Sequence, residues 1–487
     1  MSGFLAACAI LLSSLPAPSS STAGEARAEA PTLAKKQAAV SWIEAHRHEL
    51  IALSDRVWRY AEVALRETRS SAALADYAER NGFEVERGVA GLPTAFVASY
   101  GEGRPIIGVL GEYDALPGLS QKTVPAKRPL TPGAPGHGCG HNLFGVGSLG
   151  AAVAIKERIA AGDLHGTVRF YGTPAEEAVG GKLYMARDGL FDDLDMAFAW
   201  HPGTEIQIDT DSSLAMVDLH VDFLGRAAHA AYDPWNGRSA LDGLELFTHA
   251  LNLLREHVRP TVRIHYTILD GGDVPNVVPD RARLWCWVRD EKRARVDELL
   301  ERIRGIARGA ALAAGVESRV RVQSGAYELL VNLAGARAMH ANLMWLGPLR
   351  FTEEEQQFAR AIQEATGVEP EGLAGEIEPL DEHPGPTDRG STDLADVSWI
   401  VPTVDLTVTT APAGAPWHAW PVVATGGMSI GHKGMLYAAG ALAATMVDVY
   451  ERPALLRAIR AEFDERTRGH AYRGYIPDGP PPIPYGD

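Results

Sequence analysis

Cysteine is scarce in this sequence: Cys8, Cys139 and Cys286 are the only three in 487 residues. Cys8 falls in a stretch expected to be removed, and the two remaining thiols do not make a disulfide framework in a chain of this length. Surplus positive charge is missing too. The 46 Lys and Arg face 62 Asp and Glu, for a formal net charge of -16, which argues against a nucleic-acid or anionic-membrane partner. An anionic small substrate stays open, because a few local cations can reverse the field inside a cleft. No segment after the N-terminal region has the roughly 18 uninterrupted apolar residues of a membrane span. Internal repeats are absent as well.

What is present is ordinary for a globular protein, with 46% hydrophobic and 22% charged residues. The length is too great for one ordinary core and implies two domains. The start, Met1-Ser-Gly-Phe-Leu-Ala-Ala-Cys-Ala-Ile-Leu-Leu, runs into Ser/Pro/Ala-rich sequence. It reads as a signal peptide over about residues 1–28, without a basic leading region, and predicts a periplasmic or secreted protein, with a merely disordered start and a cytoplasmic protein as the alternative.

Helical periodicity runs from about residue 38 to 80, through Trp42, Leu50, Leu53, Val57 and Tyr60. Three short apolar runs, 106–110, 167–171 and 196–200, read as buried strands, with helices around 143–159 and 182–188 between them. That alternation predicts an α/β layer with a mostly parallel sheet and flanking helices. From about Leu214 the pattern becomes β-α-β-β-α-β, which predicts an inserted ferredoxin-like α+β domain. The expected boundaries are 36–211 for the first part of the catalytic domain, 212–328 for the insertion, 329–452 for the second part and 453–487 for a C-terminal tail that turns irregular after Arg466. A strand near 403–408 and a helix over 429–450 belong to the second part.

Chemistry in parallel sheets sits past the carboxyl ends of strands, and the informative residues lie there. Cys139 and His141, two apart and flanked by glycine, can converge on one ion, and thiolate with imidazole suits zinc. Alone, such a pair reads more readily as a buried thiol beside a capping histidine. Glu176 and Glu177 follow the second strand. One can ligate a cation while the other acts as general base, or both can serve a helix dipole. His201 follows the third strand. Three successive strand ends carrying Cys/His, Glu/Glu and His point to a metal site. His418, in Trp417-His418-Ala419-Trp420, can supply a last ligand, with His432 as its rival inside a helical pattern.

Further segments join these: Gly111-Glu-Tyr-Asp-Ala-Leu-Pro-Gly118, Gly136-His-Gly-Cys-Gly-His-Asn142, Thr173-Pro-Ala-Glu-Glu177 and Gly271-Gly-Asp-Val-Pro-Asn-Val-Val-Pro279, with Ser391-Thr-Asp393 and Gly431-His-Lys-Gly-Met435. Together they resemble the aminoacylase/carboxypeptidase superfamily of co-catalytic metallopeptidases, in its amidohydrolase branch with Cys-Gly-His ligands. The likeness runs from about residue 38 to the C-terminus. It implies a zinc-peptidase-like fold and two divalent ions, zinc or manganese, on Cys139, His141, Glu177, His201 and His418. It implies Glu176 as general base, Asp114 in support, and His229 reaching across a homodimer to stabilise the oxyanion. Asn276 and Arg289 would hold the substrate carboxylate or carbonyl. The implied reaction is hydrolysis of N-acyl or N-aroyl amino acids of the p-aminobenzoyl-glutamate type. Asn142 departs from the acid that many such relatives carry there.

Two other classes compete, besides a dipeptidase or carboxypeptidase of the same superfamily. A thiol hydrolase with Cys139 as nucleophile leaves the Glu pair and two histidines unexplained. A binding protein with a closed structural zinc has no use for Glu176.

Overall fold

The computed structural model describes residues 22–383 and 390–484. Cys8 and most of the expected signal segment lie outside them. The helix Thr22–Ala45 is the first described element.

The three apolar runs form strands Ile106–Gly111, Thr167–Gly172 and Met196–Phe198. Their side chains are buried almost throughout, as expected of parallel strands covered on both faces. They sit in a six-stranded sheet ordered Glu84–Arg87, Phe96–Gly101, Thr167–Gly172, Ile106–Gly111, Met196–Phe198, Thr403–Val404. The last four run parallel, with Gly111 level with Gly172 and Val109 level with Phe198. Parallel alignment brings the segments after all three strands to one edge of the sheet.

The helix His141–Ala160 crosses this sheet, and its residues from His141 to Ile155 are buried without a break. Two glycines allow that fit. Gly140 enters the helix at φ 78, and a Cβ on it would meet Pro202 at 2.8 Å. A Cβ on Gly145 would lie 2.5 Å from the Glu112 carbonyl. The helix start is therefore pressed against the strand end that carries Glu112.

The insertion is a four-stranded antiparallel sheet ordered Glu317–Ala326, Ala215–Leu224, Arg281–Asp290, Arg263–Asp270, with helices Ala240–Leu254 and Arg293–Ala314. It has its own apolar core around Val217, Leu219, Phe247, Leu284 and Ile303. Arg263–Asp270 is an outer strand, with Ile268 and Leu269 exposed. The tail holds the two cores together: Tyr475 packs on the inserted core, and Tyr472 and Ile476 pack on the catalytic core. The Arg293 guanidinium lies between the rings of Tyr327 and Tyr475, at 4.4 and 3.2 Å.

Two elements differ from the sequence pattern. The helical run expected from about residue 38 to 80 is divided among the end of Thr22–Ala45, Arg47–Tyr60 and Thr68–Arg80; it breaks at His46 and again where Ala61 and Leu65 take left-handed backbone conformations at φ 43 and 59. The strand near 403–408 breaks at Asp405 into Thr403–Val404 and Leu406–Thr409, which serve different sheets.

Candidate metal centre and active site

The strand ends converge on a cavity of about 370 Å³. Cys139, Glu176, Glu177, His201 and His418 line it together with Glu112. Phe144, Trp200, Leu329 and Trp417 make its apolar wall. Cys139 Sγ lies 3.4 Å from His201 Nε2, and His418 Nε2 lies 3.4 Å from Glu177 Oε2. Cys139 belongs to two donor groups, one with His141 and His201 and one with Glu177 and His418. A third group joins His141 to Glu112 and Glu176. The ligating atoms within each group lie within 4.8 Å of one another.

Hydrogen bonds set which ring nitrogens face the cavity. His201 Nδ1 is 2.7 Å from the Pro202 carbonyl, which can only accept, so Nε2 keeps its lone pair. His141 Nδ1 contacts Asp114 Oδ1 at 2.9 Å, and Nε2 is the free donor atom. A carboxylate behind a histidine is the usual support of a metal-ligating ring. His141 Nε2, Glu112 Oε2 and Glu177 Oε1 are buried without a hydrogen-bond partner. Orphaned buried polar atoms are rare because each costs free energy. His141 Nε2 and Glu112 Oε2 face each other at 3.0 Å, and such donors grouped with or next to the Cys139 thiol fit divalent cations.

The charges agree with that fit. Burial opposes charge on the His141 ring, yet Cys139, Glu112 and Asp114 hold its pKa well above the ordinary range. Burial, then Glu112, Glu177 and Asp393, push Glu176 well up. Burial pushes Glu177 up to about 7, with Asp114 and Glu112 adding to it against His141. Burial and Glu177 also push the Cys139 thiol up. A cysteine nucleophile needs the opposite shift before any ion is bound, whereas a coordinating thiol is deprotonated by the cation itself, so the thiol suits a ligand better than an attacking group.

Three residues that sequence reasoning passed over shape this site. Ala175 takes φ 62, a strained conformation for a residue with a Cβ, and its N–H donates to Glu67 Oε1 at 3.0 Å. Glu67 thus clamps the turn that presents Glu176. Glu112 and Lys182 form a buried ion pair at 2.5 Å. Glu112 had a signal, since it follows a buried strand as Asp114 does. Lys182 and Glu67 had none.

The structure places the remaining expected residues elsewhere. His229 is exposed in the insertion, where its Nδ1 accepts from the N–H groups of Ala231 and Tyr232, both at 3.1 Å. Asn276 is exposed nearby, its carbonyl accepting from Ala230. Arg289 is half-buried over the Trp287 ring at 5.0 Å, its Nε unpartnered. None of the three lines the cavity. His432 turns away to Asp55 at 3.0 Å, while His418, at φ 52, is held by its N–H to the Gly138 carbonyl.

A parallel-sheet scaffold that gathers thiol, imidazole and carboxylate donors beside a further carboxylate defines a metallo-amidohydrolase, which acts on amide bonds. Comparison with known proteins agrees. Residues 215–314 match the M20 peptidase dimerisation domain. One of the two kinds of p-aminobenzoyl-glutamate hydrolase chain of Escherichia coli (strain K12) is 38% identical over 472 residues, covering 91% of this chain and 97% of that protein. The human Xaa-Arg dipeptidase is 31% identical over 436 residues, covering 85% of this chain and 88% of that protein. The crystal structure of a dinuclear metal-binding M20 peptidase from Bacillus subtilis shares the fold, with TM-score 0.58 and 18% identity over 84% of this chain and 99% of that one. The chain belongs to the M20 peptidase family.

Proposed function

We propose that this enzyme cleaves the amide bond of N-aroyl and N-acyl amino acids, with p-aminobenzoyl-glutamate as the type substrate. The observation that carries the reading is the pair of donor groups sharing Cys139, set beside Glu176 in a cavity with an aromatic wall. Phe144, Trp200 and Trp417 suit an aroyl group. The 38% identical relative is named for that reaction.

Cys139, His141, Glu177, His201 and His418 would hold two divalent cations. Thiolate and imidazole favour zinc, and the carboxylates leave room for manganese. When bound, such cations supply Lewis acidity and a water nucleophile at neutral pH. Glu176 takes the proton of the attacking water and returns it to the leaving amine. Asp114 fixes the His141 tautomer and, through the Glu177 N–H, the turn beyond Glu176. Arg289 and Asn276 would grip the substrate carboxylate, and His229 would reach the site of a partner subunit in a homodimer built through the insertion. Export of the chain belongs to the same reading.

A dipeptidase reading draws on the Xaa-Arg dipeptidase likeness and on a cavity whose described lining carries carboxylates but no Lys or Arg. One panel separates the two: p-aminobenzoyl-glutamate, N-acyl amino acids and dipeptides, each assayed with zinc and with manganese. Turnover confined to dipeptides would overturn the N-aroyl reading.

A further inference from the structure

A lysine with no exposed surface sits behind the cavity. Lys182 Nζ donates to Glu112 Oε1 at 2.5 Å and to Asp393 Oδ1 at 2.6 Å, and its backbone N–H donates to Asp393 Oδ2 at 3.0 Å. All three residues are buried. Burying such charges is expensive, and an apolar replacement of the same volume often serves stability as well. Stability alone is therefore a weak reason for an ammonium here.

The pair of carboxylates tells what it does. Glu112 has one oxygen on Lys182. The other, Oε2, lies 3.0 Å from His141 Nε2 with no hydrogen bond. Among the described residues, the ammonium is thus the one hydrogen-bond partner shown for the Glu112 side chain, and it decides how that carboxylate faces the donor cluster. Asp393 follows Gly390, Ser391 and Thr392, which line the cavity together with Leu394. Lys182 itself follows the turn that carries Glu176, a turn closed by the Val179 and Gly180 N–H groups on the Ala175 carbonyl at 3.0 and 2.9 Å. One ammonium therefore joins a strand end, the base-bearing turn and a cavity wall. Burial works against its charge, but Asp393, Glu112 and Glu176 outweigh burial.

We propose that Lys182 is a positioning residue of the reaction: it locks Glu112 against His141 and ties residues 390–394 to the turn of Glu176, so that the base and the donor cluster keep a working geometry. This rests on Glu176 as the general base.

The test uses the metal-loaded enzyme with p-aminobenzoyl-glutamate and reads kcat, KM, bound metal and Tm. Lys182→Met strands two buried carboxylates and can fail to fold, so the decisive variants are Lys182→Met/Asp393→Asn, which removes one charge of each sign, and Glu112→Gln, which leaves Lys182 paired with Asp393. Both should keep metal, Glu112→Gln with a near-native Tm and the double variant with a lower one because Glu112 stays buried without its ammonium, while in both kcat falls at least about thirtyfold and KM moves less than about threefold, within what a displaced catalytic group costs. A merely structural lysine predicts instead that kcat returns together with Tm. A kcat within about threefold of wild type in either folded variant would overturn the proposal. Glu176→Gln is measured alongside. Near-native turnover in it removes the base and with it the premise, whereas an inactive Glu176→Gln beside an active double variant removes only the role of Lys182.

Discussion

The backbone N–H of Glu177 donates to Asp114 Oδ2 at 2.9 Å. The other oxygen of the same carboxylate holds His141 Nδ1 at 2.9 Å. One buried side chain thus sets both the ring of a metal-ligand candidate and the turn bearing the adjacent glutamates. Glu176 and Glu177 are neighbours in sequence, but Glu177 is tethered to Asp114 and faces His418, whereas Glu176 groups with Glu112 and His141.

That division predicts different failures for the two. Glu176→Gln should keep its metal and lose at least about a hundredfold in turnover, the usual scale for a general base. Glu177→Gln should lower metal occupancy, measured by elemental analysis after gel filtration. Full metal with wild-type turnover in Glu176→Gln would remove it from the mechanism.

Chelation should abolish activity, and restoring zinc or manganese should recover it. Alkylating reagent added to the metal-loaded enzyme should have little effect, because the Cys139 thiol is buried and would be engaged by metal. Activity that survives exhaustive chelation but disappears on alkylation would return Cys139 to the role of nucleophile.

Glu67 makes a pH prediction. Burial and the Asp114 charge raise its pKa from 4.5 to about 8. An acid with a raised folded-state pKa binds its proton more tightly when folded, so its favourable contribution is full below the unfolded value and is lost as pH rises through the folded one. Glu67→Gln mimics the protonated form, since its carbonyl can still accept from Ala175. The variant should gain several degrees in Tm relative to wild type between about pH 5 and pH 8.5, and the gap should close in acid. A gap independent of pH would mean that Glu67 does not titrate in this range.

His229→Ala should impair catalysis without removing metal. Mixed with Glu176→Gln protomers it should regain some activity, because one site of a mixed dimer then has both a base and a partner's histidine. Verified mixed dimers with no recovery would argue against a histidine acting in trans.

Arg289 should read the substrate carboxylate. A guanidinium grips a carboxylate through two parallel hydrogen bonds, and lysine does not reproduce that geometry. Amidating the α-carboxylate of an N-acyl amino acid should cost about 2–4 kcal/mol in transition-state stabilisation, and Arg289→Lys should narrow the preference. The measurement is the ratio of kcat/KM for acid and amide in both proteins. A wild-type ratio near unity would end the carboxylate-reading role.

Much of the scaffold was legible along the chain because its signals are local. Buried parallel strands are short continuous apolar runs, and 106–110, 167–171 and 196–200 show them. Since parallel strands end on one edge, Cys139, His141, Glu176, Glu177 and His201 group together from chain order alone. The amphipathic period of the inserted helices was equally plain, with Leu244, Phe247, Leu251 and Leu254 on one buried face. What the chain order does not carry is pairing across long separations. His418 is favoured over His432 along the chain only because His432 falls inside a helical pattern, and it is packing that turns one to Glu177 and the other to Asp55. Lys182 meets Glu112 and Asp393 across 70 and 211 residues, and Glu67 meets Ala175 across 108. No periodicity announces such contacts. They form because burying a charge or a strained turn is tolerable only where a partner from elsewhere in the chain satisfies it, and that partner is chosen by the folded core.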